Sequence, residues 1–183
     1  MNYAAAFYGV LDELIGAKDN GITQIDSTRP GLPAVFVHFY ENFPTTGILT
    51  AVTLGVALGL HGDDGHAELA VSVRSSDQSW GLGAGFLAER ARDQVVLARR
   101  STLNMREPIS TESAMSAYLI TDAPSWAPSP IELQTKDGRR TVCILNAIPI
   151  FDSELGRVRT DGPHFLTCAA GFETLDTRRK PRA

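Results

Sequence analysis

Cysteine, net charge and long apolar runs are all scarce in this chain, and each shortage excludes something. Only Cys143 and Cys168 occur among 183 residues, too few for the disulfide framework of a small secreted domain. Cys143 stands in the apolar run TVCILNAIPI, where a buried free thiol is expected, and a reducing, cytoplasmic setting fits that usage. The uncharged stretch from Gly47 to Leu60 falls short of the about 20 residues a membrane span needs. The N-terminus, MNYAAAFYGVLDELIG, has no basic leading region, and Asp12 and Glu13 break its apolar part, so no signal peptide is expected. The formal net charge is −4, which disfavours nucleic acid and favours a cationic partner. Neither G-x-S-x-G nor S-x-x-K is present, and neither cysteine has a basic sequence neighbour. Nucleophilic catalysis therefore has no visible anchor.

What is present reads as one folded domain. Hydrophobic residues make up 43% and charged residues 21%, near globular averages, and a chain of this length buries roughly 70% of its unfolded surface. Residues 1–172 are expected to form the domain. Residues 173–183, with Arg178, Arg179, Lys180 and Arg182 bunched together, are expected to be a short solvated, disordered basic tail. Phe7, Leu11, Leu14 and Ile15 recur at helical spacing, predicting a helix over 3–17 that Gly21 terminates. The β-branched and aromatic runs 34–40, 48–58 and 68–73 predict three strands, joined too closely for anything but an antiparallel meander. A helix follows from about Asp77, with Ser76 or Asp77 accepting from its first turn. Gly81, Gly83 and Gly85 lie inside it, a placement that makes sense if the helix backbone presses on the sheet. Weaker strand signals cover 95–103 and 112–121. Residues 131–133 and 141–150 flank the Lys136-Asp137-Gly138 turn as a hairpin, and a closing helix over 151–159 is interrupted by Gly162-Pro163. The fold class is α+β, a mostly antiparallel sheet with helices packed against it.

Four blocks of the sequence, in order, resemble the suppressor-of-fused domain family, in its bacterial single-domain form. They are PAVFVHFYENFPTTGILTAVTLGVAL (33–58), ELAVSVRSSDQSW (68–80), REPISTESAMSAYLITDAP (106–124) and ILNAIPIFDSELGRVRTDGPHFL (144–166). The resemblance implies an α/β sandwich that binds another protein and needs no cofactor. The best-known animal member restrains a zinc-finger transcription factor, and shorter bacterial members are proposed immunity proteins of polymorphic toxin systems. The expected partner is accordingly another protein, such as a basic toxin domain, neutralised by occlusion. The alternative of this kind is a regulatory module that sequesters a transcription factor or other client.

Candidate contact residues are Glu41 and Phe43 in an aromatic-acidic loop, Arg74, Asp77 and Trp80 around the start of the glycine-bearing helix, and Trp126 in the proline-rich loop PSWAPSP. Arg and Trp are frequent binding anchors. The same Arg74–Trp80 stretch is also explained as a capped helix with a core tryptophan. A third function, a small metal-dependent enzyme, would use His61, Asp63, Asp64 and His66 of the HGDDGH turn, since histidine and carboxylate suit zinc or manganese. A glycine-rich hairpin turn explains those residues equally. Gly81-Leu82-Gly83-Ala84-Gly85 has the wrong spacing for a dinucleotide-binding turn.

Overall fold

A computed structural model describes residues 2–16, 19–58, 66–92, 97–168 and 173–182. Helix α1, Tyr3–Ile15, is capped by Asn2, whose side chain accepts from the Ala5 amide at 2.9 Å. Gly16, at φ 64, ends it in the left-handed conformation, so the terminator is Gly16 and not Gly21. Gly21 instead opens β1, Gly21–Ile25, an edge strand that the sequence reading missed. Only Ile22 and Ile25 are apolar there, too little alternation to announce a strand.

Strands β2 (Val35–Glu41), β3 (Leu49–Leu54) and β4 (Ala67–Val73) follow as the expected antiparallel meander. A 3-10 turn, Val56–Leu58, takes up the rest of the segment read as one strand. Helix α2, Ser79–Ala91, leads to β5 (Thr102–Asn104) and β6 (Met115–Thr121). The hairpin is β7 (Ile131–Thr135) with β8 (Gly138–Phe151), and helices α3 (Asp152–Asp161) and α4 (His164–Thr167) close the order. The sheet runs β1-β2-β3-β4-β8-β6-β5, with β7 paired to β8 off that path. Long β8 pairs β7 and β6 antiparallel and β4 parallel. Among the described strands that last pair is the parallel exception in a mostly antiparallel sheet. Among the described residues no helix is long and apolar enough to cross a membrane.

Alternation along β8 separates the two faces of the sheet. Leu145 and Ala147 join the core under α2, with Phe39, Ala51, Val71, Trp80 and Tyr118. Val142 and Ile144 face the other way, into a cluster with Phe7 and Leu11 of α1. Ile150, on that same face, packs with Ala117, Leu119, Leu155 and Val158 under α3. One face therefore carries α2, and the other carries α1 and α3 side by side.

The three glycines of α2 are what let it sit on its face. A Cβ on Gly81 would lie 2.3 Å from Ala51 Cβ and 2.7 Å from the Phe39 ring; one on Gly85 would lie 2.5 Å from Val37 Cγ2. Gly83 would put its Cβ 2.7 Å from the Tyr118 hydroxyl, which donates to the Trp80 carbonyl at 2.6 Å. The helix starts before these glycines, at Ser79, and Asp77 Oδ1 accepts the Ser79 amide at 2.9 Å.

Three buried carboxylates escaped the sequence reading: Glu89 of α2, which accepts from the Ser27 hydroxyl and the Thr28 amide, and two that are fully buried. Glu68 is 0% exposed in central β4. It accepts from the Tyr3 and Thr53 hydroxyls and from the amides of Gly55, Val56 and Ala57, at 2.7–3.2 Å. Burial pushes its carboxyl upward, and these donors oppose that rise. Glu68 thereby ties α1, β3 and the 3-10 turn together. The second is Glu154 of α3, also 0% exposed, with Arg179 against it. Within the segment expected to be a solvated tail, Thr177 and the Arg179 side chain are buried, while Glu173, Arg178, Lys180 and Pro181 are exposed. The physical reason is that a buried carboxylate requires a partner, and the basic segment supplies it. Cys143, expected buried, is half-buried.

Candidate interaction groove

Beside Thr167 of α4, the sheet face shared by α1 and α3 has a strip that, among the described residues, floors an open cleft. Its floor is Ser72 of β4 with Asn146 and Ile148 of β8. Pro44, Pro124 and Trp126 wall one side, and Thr167, Thr174 and Leu175 the other. The cleft holds about 380 Å³. Across Thr121, Asp122 and Thr167 it adjoins a second hollow of about 460 Å³ lined by Arg99, Arg100, Pro163 and His164. Arg99 and Asp122 pair at 2.9 Å and are both largely exposed, a rim contact of little energetic weight.

The aromatic wall is built from two loops. Phe43 and Trp126 meet edge to face, with ring centroids 5.2 Å apart, an arrangement that aromatic quadrupoles favour. The loop after β2 is held by Thr50, whose hydroxyl donates to the Phe43 carbonyl at 2.6 Å and contacts the Ser72 hydroxyl at 2.8 Å. The indole N–H of Trp126 is buried and has no acceptor among the described residues. A buried donor left without an acceptor costs free energy.

The structure sorts the six contact candidates into two groups. Trp126 lines the wall, and Phe43 packs against its ring without lining the cleft itself. Arg74 stands at the rim: its amide donates to the Leu175 carbonyl at 2.7 Å, and its guanidinium meets Glu173 at 3.2 Å. Glu41 lines a neighbouring hollow of about 180 Å³ with Asn42, Gly47, Ser75 and Ser76. Asp77 and Trp80 belong to the opposite layer. Trp80 is 0% exposed in the core under α2, so it offers no surface to a partner, a correction to the sequence reading. Its indole must be buried because α2 lies so close to β2 and β3. Asp77 is half-buried; burial works against its charge, but hydrogen bonds from Ser110 and Ser79 outweigh this and hold the carboxyl below its ordinary value.

Of the metal candidates, His61, Asp63 and Asp64 lie outside the described residues. His66 is half-buried, with Nδ1 2.8 Å from the Ala57 carbonyl. Among the described residues no group of three or more histidine, cysteine or acidic side chains is placed to hold a metal ion. His38 is a buried strand-face residue, held by Asp19 at 2.9 Å and against the Tyr8 ring. Cys168 has a basic neighbour after all, in space: His164 Nδ1 lies 3.8 Å from its sulfur, one helical turn away.

The groove residues that sequence reasoning missed are Ser72, Asp122, Asn146 and the C-terminal segment. Asn146 did carry a signal, a lone amide in the otherwise apolar run of β8.

No family model matches this sequence, and no curated protein does. Solved structures do. A protein described as a SUFU (suppressor of fused protein) homologue from Neisseria gonorrhoeae FA 1090 superposes with a TM-score of 0.71 at 18% identity, over 98% of this chain and 96% of that one. Drosophila Suppressor of Fused gives 0.66 at 14% identity over 97% of this chain, which spans 50% of the Drosophila one. A chain of the Sufu–Fu complex gives 0.61 at 14% identity, over 98% and 91% of the two chains. The chain therefore has the suppressor-of-fused fold, an α+β architecture over nearly its whole described length. Identity this low speaks to fold alone.

Proposed function

We propose that this chain is a non-enzymatic protein-binding domain that acts by occlusion, and that its partner seats in the groove between α1 and α3. One observation carries the reading: among the described residues, an open cleft floored by the sheet and walled by Trp126, whose ring packs edge to face on Phe43. Aromatic anchors beside a polar rim are the usual anatomy of a binding surface. A structure of the same fold solved as the Sufu–Fu complex supports a protein partner. The net charge of −4 favours encounter with a basic protein, and a basic toxin effector neutralised by occlusion is the finer form of the proposal. The likeness to Drosophila Suppressor of Fused supports a regulatory client as the second form.

The test is capture from the native host with tagged protein at about 0.15 M salt, where surface electrostatics still act over about 8 Å. Wild-type protein should retain one stoichiometric protein, and Trp126→Ala, folded by circular dichroism, should lose it. The identity of that protein separates toxin from regulatory client. Empty capture by folded, abundant protein would overturn the proposal.

A further inference from the structure

The sequence concentrates basic residues at 178–182, and the structure docks one of them into the domain. Glu154 lies at the start of α3, where its Oε2 accepts the Phe151 amide at 3.0 Å. Its other partners come from the C-terminal segment. Arg179 Nη1 donates to Oε1 and Nη2 to Oε2, the latter at 2.7 Å, and the Arg182 amide donates to Oε1 at 3.0 Å. The Arg179 guanidinium also lies 5.2 Å from the Phe151 ring centroid and reaches the Pro149 carbonyl at 3.4 Å. Its side chain is 9% exposed. A recessed carboxylate, an aromatic face and a carbonyl form a receptor shaped for a planar guanidinium, which binds carboxylates through two parallel hydrogen bonds. A lysine ammonium would meet one oxygen at a time.

The occupying segment has no helix or strand over 173–182. Upstream of Arg179 the same segment runs past the groove. Thr174 and Leu175 form part of its wall, and Leu175 is tied to the end of β4 by the Arg74 amide. Removing Arg179 from its seat would therefore loosen one side of the groove.

We infer that the Glu154–Phe151–Pro149 pocket is an arginine socket, filled in this chain by its own Arg179, and that an arginine on an extended basic segment of the partner takes that seat in exchange. This deepens the protein-binding reading and rests on it. The C-terminal segment is then a strap that keeps the groove narrow until a partner displaces it, and the partner chemistry is the one its own occupant displays. A basic partner agrees with the acidic balance of the chain.

The socket is testable without the partner, in the full-length chain. Arg179→Ala should speed amide exchange of residues 174–178 by about tenfold or more while the central strands exchange as in wild type, the pattern of local opening. Methylguanidinium at millimolar concentration should then raise the thermal midpoint of Arg179→Ala saturably. It should do neither to wild type, whose socket is filled, nor to the Glu154→Gln/Arg179→Ala double variant. If strap and core amides accelerate together, or methylguanidinium has no saturable effect on Arg179→Ala, the socket is overturned. If Arg179→Ala does not fold, Arg179→Lys decides: acceleration confined to the strap supports the inference, and joint acceleration refutes it. Empty capture with a responsive socket would remove the protein-binding reading and leave the socket standing. A fixed strap overturns the socket whatever capture returns.

Discussion

Replacing glycine by alanine inside α2 should destabilise this protein, although the same change stabilises an ordinary helix. Alanine gains about 1 kcal/mol over glycine in a helix interior. At Gly81 the new methyl would lie 2.3 Å from Ala51 Cβ and 2.7 Å from the Phe39 ring, where carbon atoms prefer roughly 3.5–4 Å. Ala51 Cβ is fixed to a central strand and cannot swing aside, so α2 must lift by more than an ångström. Overpacking of this kind costs about 1–3 kcal/mol, and the rigid neighbour places Gly81→Ala at the upper end, a net loss of about 2 kcal/mol. Gly85→Ala meets Val37 and Ile25 side chains, which can yield a little, for a net loss of about 1 kcal/mol. The controls lie in the same molecule. Gly9 of α1 and Gly156 of α3 are helical, with nothing within 4 Å of the added carbon, so alanine there should stabilise by about 0.5–1 kcal/mol. Urea unfolding monitored by far-UV circular dichroism reads all four, with unchanged m-values required for the comparison. If Gly81→Ala is as stable as Gly9→Ala, the close approach of α2 to the sheet is wrong.

Other perturbations address other parts of the account. Glu68→Gln turns one acceptor oxygen into a donor among five donors, leaving the Val56 amide or its neighbours unpaired, and should cost roughly 2–4 kcal/mol in chemical unfolding. Asp77 has a folded pKa below its unfolded value, so its contribution is complete above the ordinary aspartate value of about 3.9 and is lost as pH falls through the depressed one. Asp77→Asn should therefore flatten the acid limb of the stability–pH curve below about pH 4; an unaltered limb would contradict the Ser110–Asp77–Ser79 arrangement. Trp126→Ala should weaken partner binding by about 2 kcal/mol, as truncation of an interface anchor does, read by titration calorimetry against the captured protein. Equal affinity of the two forms would place the interface elsewhere.

The sequence disclosed what local chemistry announces. Strands β2, β4 and β6 and the β7–β8 hairpin were legible because β-branched and aromatic runs end at turn residues. The glycines of α2 made sense as a close helix–sheet approach or as a helix that begins later, near Gly83, and the structure has the approach with the helix starting at Ser79. The parallel pairing of β4 with β8 was not legible, because Ala67 and Cys143 are joined by no local signal and meet only when the chain closes. The groove was half legible. Phe43 and Trp126 stood out as aromatics in loops, while their contact depends on two loops about eighty residues apart in the chain converging. Trp80 had the composition of an anchor and the position of a core residue, and burial decided between them. The basic C-terminus read as solvated because its counter-charge, Glu154, sits 25 residues upstream of Arg179, in a segment whose acidity looked like an ordinary helix start.

The central claim is that a protein partner sits between α1 and α3. Capture followed by cross-linking mass spectrometry on the retained complex tests it most directly. The account predicts cross-links from the partner to Asp122, Glu173 and neighbouring groove residues, and loss of the complex on Trp126→Ala with the fold intact. A stoichiometric partner that cross-links only to the α2 face, and survives Trp126→Ala, would contradict it.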